Sequence, residues 1–389
     1  MILKFTVYIF LLLLLVFILF DIIPKLNDWF SRIHIGRFKN KTEWQKSITN
    51  RGEKWLIHTP RIMVTDNTRL ILIDIIKGNY SRKEIQYWQE ASIILGLTSQ
   101  TSVQKKSKAL LQKYLNTKFD KNGDWKSAPT EIDAAILAYS VMKIDCMDTK
   151  KYKKAFDYTW NLIRDHVGED GTVGYRKSMM AYRYVDTIGF ICPFLIAYGN
   201  KFKKQECIDL AIKQIKSFEK YGILKQHFIP AHAYKVSNYV PVGLYGWGRG
   251  MGWYALGLID SWKELSLENN DKHYLEESIV RLAKAALKLQ QLDGSWKWTI
   301  TRDESRSDSS TTAILAWFML NASQIKELSI ECNASTQKAV SFLMNVTRRN
   351  GAVDFSQGDT KDIGVYSMLF NILPFTQGLC IRIINSMKL

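Results

Sequence analysis

The chain has 389 residues, 47% of them hydrophobic and 23% charged, which is enough apolar material for one large core or two ordinary ones and excludes a disordered protein. The formal net charge is +17, but the lysines and arginines are spread along the chain without an arginine-rich arm, so an acidic membrane surface or an acidic polysaccharide is favoured over nucleic acid as partner. Five cysteines without a Cys-x-x-Cys pair and six histidines without helical metal-ligand spacing predict no disulfide framework, no metal site and no other cofactor.

The first predicted element is a transmembrane anchor over residues 1–24. Residues 2–23 carry only Lys4 and Asp21 as charges, both near the ends, and the run approaches the roughly 20 residues that cross a bilayer. A cleaved signal peptide fits less well, because the apolar run is long and no Ala-x-Ala-like site follows it. Residues 25–46 are interpreted as a basic juxtamembrane linker. Its charge favours a cytoplasmic position for the following domain, although the side of the membrane stays open for a lone anchor.

From residue 47 to residue 389 the pattern predicts helix after helix, and the fold class is therefore all-α. Apolar residues recur at spacings of three and four, and there is no convincing alternating strand. About a dozen segments show this period: 69–77, 85–97, 106–115, 131–141, 152–167, 187–198, 205–218, 252–265, 274–289, 311–320, 335–346 and 366–384.

A turn element returns between pairs of these helices. Its glycines are Gly123, Gly171, Gly222, Gly294 and Gly351, which lie 48, 51, 72 and 57 residues apart. That period is close to the length of two helices and two loops, so it predicts an (α/α)6 toroid of six inner and six outer helices. We expect the short extended strips after the turns to line a cleft on one face of the ring. An open solenoid is the alternative, but its repeats should be more uniform.

Two aspartates at the starts of predicted helices are the candidate catalytic groups. Asp186 stands in an otherwise apolar stretch, where burial should raise its pKa toward the range of a general acid. Asp133 is a second acid at an apolar helix start, and two carboxylates facing each other across a cleft are typical of glycosidic chemistry. The alternative for Asp186 is a helix cap, in which its side-chain oxygen only accepts backbone N–H groups.

Three further groups are candidates for substrate binding. Residues 245–254 combine four glycines with Trp247, Arg249 and Trp253, that is, flat apolar faces and a planar fork of donors that fits a carboxylate. His232 precedes this stretch by a short loop, and a hydroxyl-rich helix start at residues 308–313 follows it. Each group has a structural alternative: packing for the glycines and tryptophans, a buried packing role for the histidine, and an N-cap cluster for the hydroxyls. No phosphate-binding loop, dinucleotide fingerprint or serine-hydrolase elbow is present.

These segments together resemble the unsaturated glucuronyl and unsaturated rhamnogalacturonyl hydrolases, glycoside hydrolase families 88 and 105. The resemblance extends from about residue 125 to the C-terminus. It rests on four motifs in order: an Asp-Thr segment at 184–187 followed by 192–195, a His-x-aromatic loop at 232–234, the Trp-x-Arg-Gly-x-Gly-Trp signature at 247–253, and an acid-Ser-Ser block at 308–313.

The resemblance implies an (α/α)6 toroid and hydration of the C4=C5 double bond of an unsaturated uronyl oligosaccharide or a related acidic glycan. Asp186 would then be the general acid and base, and Asp133 the second cleft carboxylate. The implied substrate-binding residues are His232, Trp247, Arg249, Trp253, Ser309 and Ser310. Arg249 would hold the uronate carboxylate, while the tryptophans would stack on sugar rings.

Some positions depart from the family pattern. Met251 replaces the usual amide, which implies the loss of one polar substrate contact. Lys235 stands where an acid is common, and His227 competes with His232 for the histidine role. Two other functions stay open: ordinary glycoside hydrolysis or polysaccharide lysis on the same toroid, and a non-catalytic polysaccharide-binding or assembly protein at the membrane.

Overall fold

The computed structural model describes residues 2–60, 62, 69–77, 86–99 and 105–387. Within these ranges the chain forms fourteen α-helices. They are α1 (Ile2–Arg32), α2 (Lys41–Ile57), α3 (Ile71–Ile76), α4 (Tyr87–Thr98), α5 (Lys105–Lys118), α6 (Ala134–Met142), α7 (Lys153–Arg164), α8 (Asp186–Phe202), α9 (Gln205–Tyr221), α10 (Gly248–Glu264), α11 (Asp271–Leu289), α12 (Ser309–Ala322), α13 (Ser329–Asn345) and α14 (Pro374–Ser386).

Short antiparallel strands connect some of these helices. They are β1 (Tyr182–Tyr184), β2 (Ile223–Leu224), β3 (Ile229–Pro230), β4 (Ala233–Lys235), β5 (Pro241–Val242), β6 (Ser356–Gln357) and β7 (Phe370–Asn371). Three strands form the sheet β1-β4-β5, and the others pair as β2-β3 and β6-β7. The strands contain two or three residues each, too few to produce the alternating pattern by which a strand is detected in a sequence.

The helices form the predicted double ring. The inner helices α4, α6, α8, α10, α12 and α14 each contact the next, and α14 closes the ring against α4. The outer helices are α2, α5, α7, α9, α11 and α13. Inner helices are apolar nearly all round: in α12 every residue except Leu320 is buried. Outer helices bury one stripe, as α7 does with Ala155, Phe156, Thr159, Trp160 and Ile163. The all-α toroid is thereby confirmed.

Two ring helices, α2 and α14, differ most from the predicted pattern. The pattern does not predict α2, whose buried apolar side chains are only Trp44, Ile48, Trp55 and Leu56, too few to reveal a period among 17 mostly polar residues. The helix predicted at 366–384 begins only at Pro374, which occupies the first helical position. Proline suits this position because its missing N–H has no helical partner there.

The N-terminal segment also differs from the expected anchor and linker. The helix α1 is long and apolar enough to cross a membrane, and none of its residues is buried. It does not end at residue 24 but continues through Pro24 to Arg32, and α2 already begins at Lys41. Most of the expected linker at residues 25–46 is therefore helical, and residues 33–40 connect the two helices.

The repeated glycine turns have the predicted backbone at four of five positions. Gly123, Gly171, Gly294 and Gly351 have φ values of +78°, +70°, +90° and +82°, a left-handed conformation that favours residues without a Cβ. Gly222 has φ −103° and ends α9 in an ordinary right-handed conformation. The interpretation as recurrent left-handed turns is thus confirmed for these four.

The strips after the turns mostly pack against outer helices, contrary to the expectation that they line the cleft. The indole of Trp125 donates to the carbonyl of Ala155 at 3.0 Å, and that of Trp296 donates to the carbonyl of Ala286 at 2.8 Å. Both acceptors lie on outer helices, α7 and α11. Among the residues following these turns, Tyr175 reaches the cleft.

Candidate active site

A pocket of about 110 Å³ lies where α8 and α10 begin. Its walls combine aromatic side chains with charged ones, which is the composition expected of a sugar site. The lining residues are Gln86, Trp88, Tyr175, Arg176, Met179, Tyr184, Asp186, Phe190, His232, Trp247, Arg249, Trp253, Asp359, Thr360, Lys361 and Asp362. Five of the eight sequence-predicted site residues are among them.

The small sheet places Asp186 beside His232. Strand β1 leads directly into α8 and pairs with β4, with Tyr184 opposite Ala233. The N–H of Val185 donates to the carbonyl of His232 at 2.9 Å. This bond holds the start of α8 against the start of β4, and the side chains of Asp186 and His232 both line the pocket.

Asp186 has the properties of a general acid. Its side chain is only 14% exposed, and Oδ2 has no hydrogen-bond partner within the described residues. Burial raises its pKa to about 7; the charge of Arg249 opposes this rise and that of Asp359 adds to it. The N-cap of α8 is Val185, so Asp186 does not occupy the capping position. At neutral pH the carboxyl can both release and accept a proton.

His232 is a neutral neighbour of this carboxyl. Its Nε2 lies 3.7 Å from Asp186 Oδ2, and its Nδ1 lies 3.2 Å from the hydroxyl of Tyr366. Burial, together with the charge of Arg249, lowers the histidine pKa to about 4. Near pH 7 the imidazole is therefore uncharged and acts as a hydrogen-bonding group. The competing His227 is exposed and does not line the pocket.

Asp133 precedes α6 and lies outside the set of pocket-lining residues. It is 8% exposed, and burial, helped by the charges of Glu131 and Asp359 and opposed by Arg176, raises its pKa to about 7. Arg176 and Asp359 do line the pocket, so Asp133 is coupled to it through charge. A catalytic role for Asp133 stays a prediction.

The two signature tryptophans line the pocket but are almost fully buried. Trp247 is 1% exposed, and its indole donates to Gln357 Oε1 at 3.0 Å. Trp253 is 2% exposed and meets Trp88 edge to face at 5.6 Å. Each therefore offers a sugar only a limited part of its ring. Met251 is fully buried in the core and does not line the pocket, which places the family's amide position outside its wall.

Arg249 is engaged by the protein itself. Its guanidinium donates to the carbonyls of Gln357 and Gly358, both at 2.7 Å, and at 3.4 Å to the hydroxyls of Thr360 and Ser310. The side chain is 2% exposed. Arg249 thus fixes residues 354–362, here called the site segment, and contributes positive charge to the pocket, whereas the sequence predicted a direct carboxylate contact.

Ser309 and Ser310 do not line the pocket, and their contact with substrate stays a prediction. Ser309 Oγ donates to the carbonyl of Asp354 at 2.6 Å, and Ser310 Oγ donates to Asp308 Oδ2 at 2.7 Å. Both serines are fully buried at the start of α12, where Asp308 caps the helix through the N–H groups of Ser310 and Thr311. The N-cap alternative describes this block, and the block supports the site segment from behind.

Sequence reasoning missed the charged groups of the site segment and of the loop before β1. Asp359 lines the pocket and accepts from Gln86 Nε2 at 3.0 Å. Burial raises its pKa, although the Arg249 charge opposes the rise. Arg176 and Lys361 are exposed cations on the wall. The available signal was the polar run 358–362 between two helical patterns, which has no period that could orient its side chains.

The sequence model of Glycosyl Hydrolase Family 88 matches residues 69–381, more than half of the chain. The chain belongs to this family. Accordingly, it is a glycoside hydrolase. No curated protein sequence matches it. Three of the four sequence motifs contribute residues to the pocket, namely Asp186, His232, Trp247, Arg249 and Trp253.

Solved structures share the toroid at low sequence identity. A family 105 glycoside hydrolase from C. acetobutylicum is 16% identical with a TM-score of 0.68, covering 81% of this chain and 97% of its own. A possible family 105 member from Salmonella enterica is 13% identical with a TM-score of 0.76, covering 90% and 94%. The unsaturated glucuronyl hydrolase from Bacillus sp. GL1, responsible for glycosaminoglycan degradation, is 14% identical with a TM-score of 0.66, covering 89% and 95%.

Proposed function

We propose that this family 88 chain hydrolyses oligosaccharides carrying a C4=C5 unsaturated uronyl residue at the non-reducing end, with Asp186 as general acid and base. One observation carries the proposal: a buried carboxyl whose Oδ2 has no hydrogen-bond partner in the described structure lies in the pocket beside a neutral histidine. A pKa of about 7 lets the same group donate a proton and take one back.

The proposed reaction adds water across the double bond. The protonated carboxyl of Asp186 gives its proton to C4, and the electron pair of the C4=C5 bond forms the new C4–H bond. Positive charge develops at C5 and on the ring oxygen. Water adds to C5 and returns a proton to the Asp186 carboxylate. The resulting hemiketal opens at the bond between C5 and the ring oxygen, and the hemiacetal at C1 then releases the remaining sugar as an alcohol.

The charges around the pocket support an acidic substrate. Arg176 and Lys361 are exposed on the pocket wall, and Arg176 also interacts with the Tyr175 hydroxyl and the charge of Glu131. Either can approach a uronate carboxylate, and the planar guanidinium of Arg176 suits it in bidentate geometry. Arg249, held by the site segment, would act through its charge. Trp247 and Trp253 would bound the sugar ring, and His232 would hydrogen-bond a hydroxyl.

The test follows loss of the ultraviolet absorbance of unsaturated uronides over a panel of lyase products. We expect the full-length enzyme to remove the absorbance and Asp186→Asn to lose nearly all turnover, because general acid–base catalysis contributes about 10²–10⁴-fold. The exposed Asp209→Asn on α9 is the matched control and should keep wild-type rates. If the wild type leaves every unsaturated substrate intact, the proposal is wrong.

Saturated versions of the same oligosaccharides separate the competing functions. Ordinary glycoside hydrolysis, with Asp133 and Asp186 as acid pair, would cleave them, whereas the proposed hydration requires the double bond. Appearance of new unsaturated products from long polysaccharides would indicate lysis. Glycan binding that survives loss of both aspartates, without turnover of any substrate, would indicate a binding or assembly protein.

We also infer that α1 anchors the enzyme in a membrane as a single span. Phe5–Phe20 contains no charged residue, and at 1.5 Å per residue the run Ile2–Ile23 is about 33 Å long, matching a hydrocarbon core of about 30 Å. A removable signal sequence would share this composition. Full-length protein that stays with membranes after alkaline carbonate washing, with its N-terminus intact, would support the anchor; release or cleavage would refute it. The basic residues after the run favour the cytoplasmic side for the ring.

A further inference from the structure

The anchor helix is joined to the ring by buried charges. Arg32 Nε donates to Asp354 Oδ2 at 2.7 Å, and the Asp354 side chain is fully buried. Arg348, 6% exposed, reaches Asp28 Oδ1 at 3.1 Å and Asp354 Oδ2 at 2.6 Å. Asn371 Nδ2 donates to Asp28 Oδ2 at 2.8 Å. Hydrogen bonds between charged side chains are strong and directional, and here one partner of each is buried. They hold the last turns of α1 in a fixed position against the ring.

A second short helix is fixed beside the end of the apolar run. The carboxylate of Asp21 accepts from the N–H groups of Leu70 and Ile71, at 2.7 and 2.8 Å, where α3 begins. Ile71 is buried, whereas Leu70 is 51% and Ile76 is 76% exposed. The helix α3 therefore lies at the level where α1 would leave the hydrocarbon, and it presents apolar side chains outward.

Exposed aromatic and basic residues follow the apolar run along α1 and in the connection to α2, and one basic residue follows α3. Trp29 and Phe30 on α1 are 60% and 61% exposed and touch each other edge to face at 4.8 Å. Tryptophan and other aromatic rings concentrate at membrane–water interfaces, and exposed lysine and arginine side chains near a span favour anionic lipid. The exposed basic residues here are Lys25, Arg37, Lys39 and Lys77.

We propose that Leu26, Trp29, Phe30, Leu70 and Ile76, here called the interfacial face, rest on the surface of an anionic phospholipid bilayer and hold the catalytic pocket over it. The proposal rests on the membrane anchor inferred above. A water-exposed apolar patch continuous with a membrane-spanning helix would be unfavourable unless lipid covered it. Lipid headgroups cover the face without any further protein partner.

The site segment connects the end of α1 to the pocket and so fixes the position of the pocket relative to the bilayer. Its first residue, Asp354, pairs with Arg32, and Asp359 to Asp362 line the pocket. Five residues of chain span at most about 18 Å, and Asp21 and Arg32 are separated along α1 by roughly 16 Å. The pocket is thus held a few tens of ångströms from the bilayer. Acidic glycans attached to the same membrane should be preferred over free oligosaccharides.

Lipid contact can be measured with spin labels in the full-length protein. Cys146→Ser removes the one cysteine that is not buried. A label at Ile76→Cys is compared with one at Ile330→Cys, where the isoleucine is 86% exposed on the outer helix α13. In vesicles of phosphatidylcholine and phosphatidylglycerol we expect the first label to be accessible to oxygen and shielded from a water-soluble nickel chelate. Equal exposure of both labels to the chelate, in protein that resists carbonate extraction, would overturn the proposal.

A second experiment measures kcat/KM for one unsaturated uronyl oligosaccharide in two forms. One form is free in solution, and the other is linked to lipid in the vesicles that contain the enzyme. Leu70→Glu with Ile76→Glu should leave kcat/KM for the free form within about twofold and lower it about tenfold for the linked form, because each carboxylate opposes lipid contact. Ile330→Glu should change neither. An unchanged ratio in the double variant would contradict the proposal. A wild type inactive on both forms would instead refute the proposed reaction, while the spin labels would still decide lipid contact.

Discussion

Replacing Asp186 by asparagine should stabilise the folded enzyme at alkaline pH while removing its activity. In the folded protein, burial raises the pKa of this carboxyl from 3.8 to about 7. The ionised form therefore carries a cost in the folded state that the unfolded chain, with its carboxyl in water, does not carry. Asparagine has a similar shape and no charge to desolvate, so the variant escapes the cost.

The size of the effect follows from the shift. A difference of about three pKa units corresponds to roughly 4 kcal/mol, at 1.36 kcal/mol per unit. Because the folded state binds the proton more tightly, wild-type stability falls as the pH rises from about 4 to about 7. Below that window both states are protonated and the cost is absent; above it the cost is complete. The advantage of Asp186→Asn should therefore grow across this window and then level off.

The assay is denaturant unfolding of the detergent-solubilised full-length protein at a series of pH values from about 4.5 to about 8.5. The free energy of unfolding of Asp186→Asn is compared with that of wild type, and Asp209→Asn on the surface of α9 serves as control. Asp133 titrates in the same range in both proteins, so its contribution cancels. A stability difference that stays constant with pH would refute the assignment of a raised pKa to Asp186.

Three further outcomes follow from contacts in the ring and the pocket. A lysine at position 249 cannot reproduce the two guanidinium hydrogen bonds to the carbonyls of Gln357 and Gly358. Arg249→Lys should therefore lower kcat/KM about tenfold to a hundredfold and speed hydrogen exchange in residues 354–362. Unchanged exchange in this segment would contradict the role of Arg249 in holding it. Gly123→Ala should lower the unfolding temperature more than Gly364→Ala, since both glycines have positive φ but only the Cβ added at Gly123 would collide with backbone, at the carbonyl oxygen of Lys151. Equal losses of unfolding temperature would exclude a steric cause. Tyr366→Phe should reduce kcat/KM about tenfold with little change in unfolding temperature, because its hydroxyl holds the active-site imidazole; full activity would show that this contact is dispensable.

The helical period and the chemistry of single residues were readable from the sequence. Apolar spacing predicts the helices because a buried face leaves a local period in the sequence, and the recurring glycine turns predict their arrangement as a double ring. The motif resemblance also named Asp186, His232 and Trp247 as site residues from the sequence, and the structure brings all three to one pocket. The sequence pattern did not predict α2, because its four buried apolar side chains do not define a helical period.

Tertiary structure alone decided which polar groups remain available to a substrate. Arg249 has the chemistry to bind a carboxylate, yet its donors are occupied by carbonyls 108 and 109 residues further along the chain. Ser309 is occupied in the same way by the carbonyl of Asp354. Likewise, α1 is joined to the ring by long-range contacts such as the pair between Arg32 and Asp354, 322 residues apart. A sequence shows what each side chain can do, but long-range contacts determine which of those bonds the protein makes with itself.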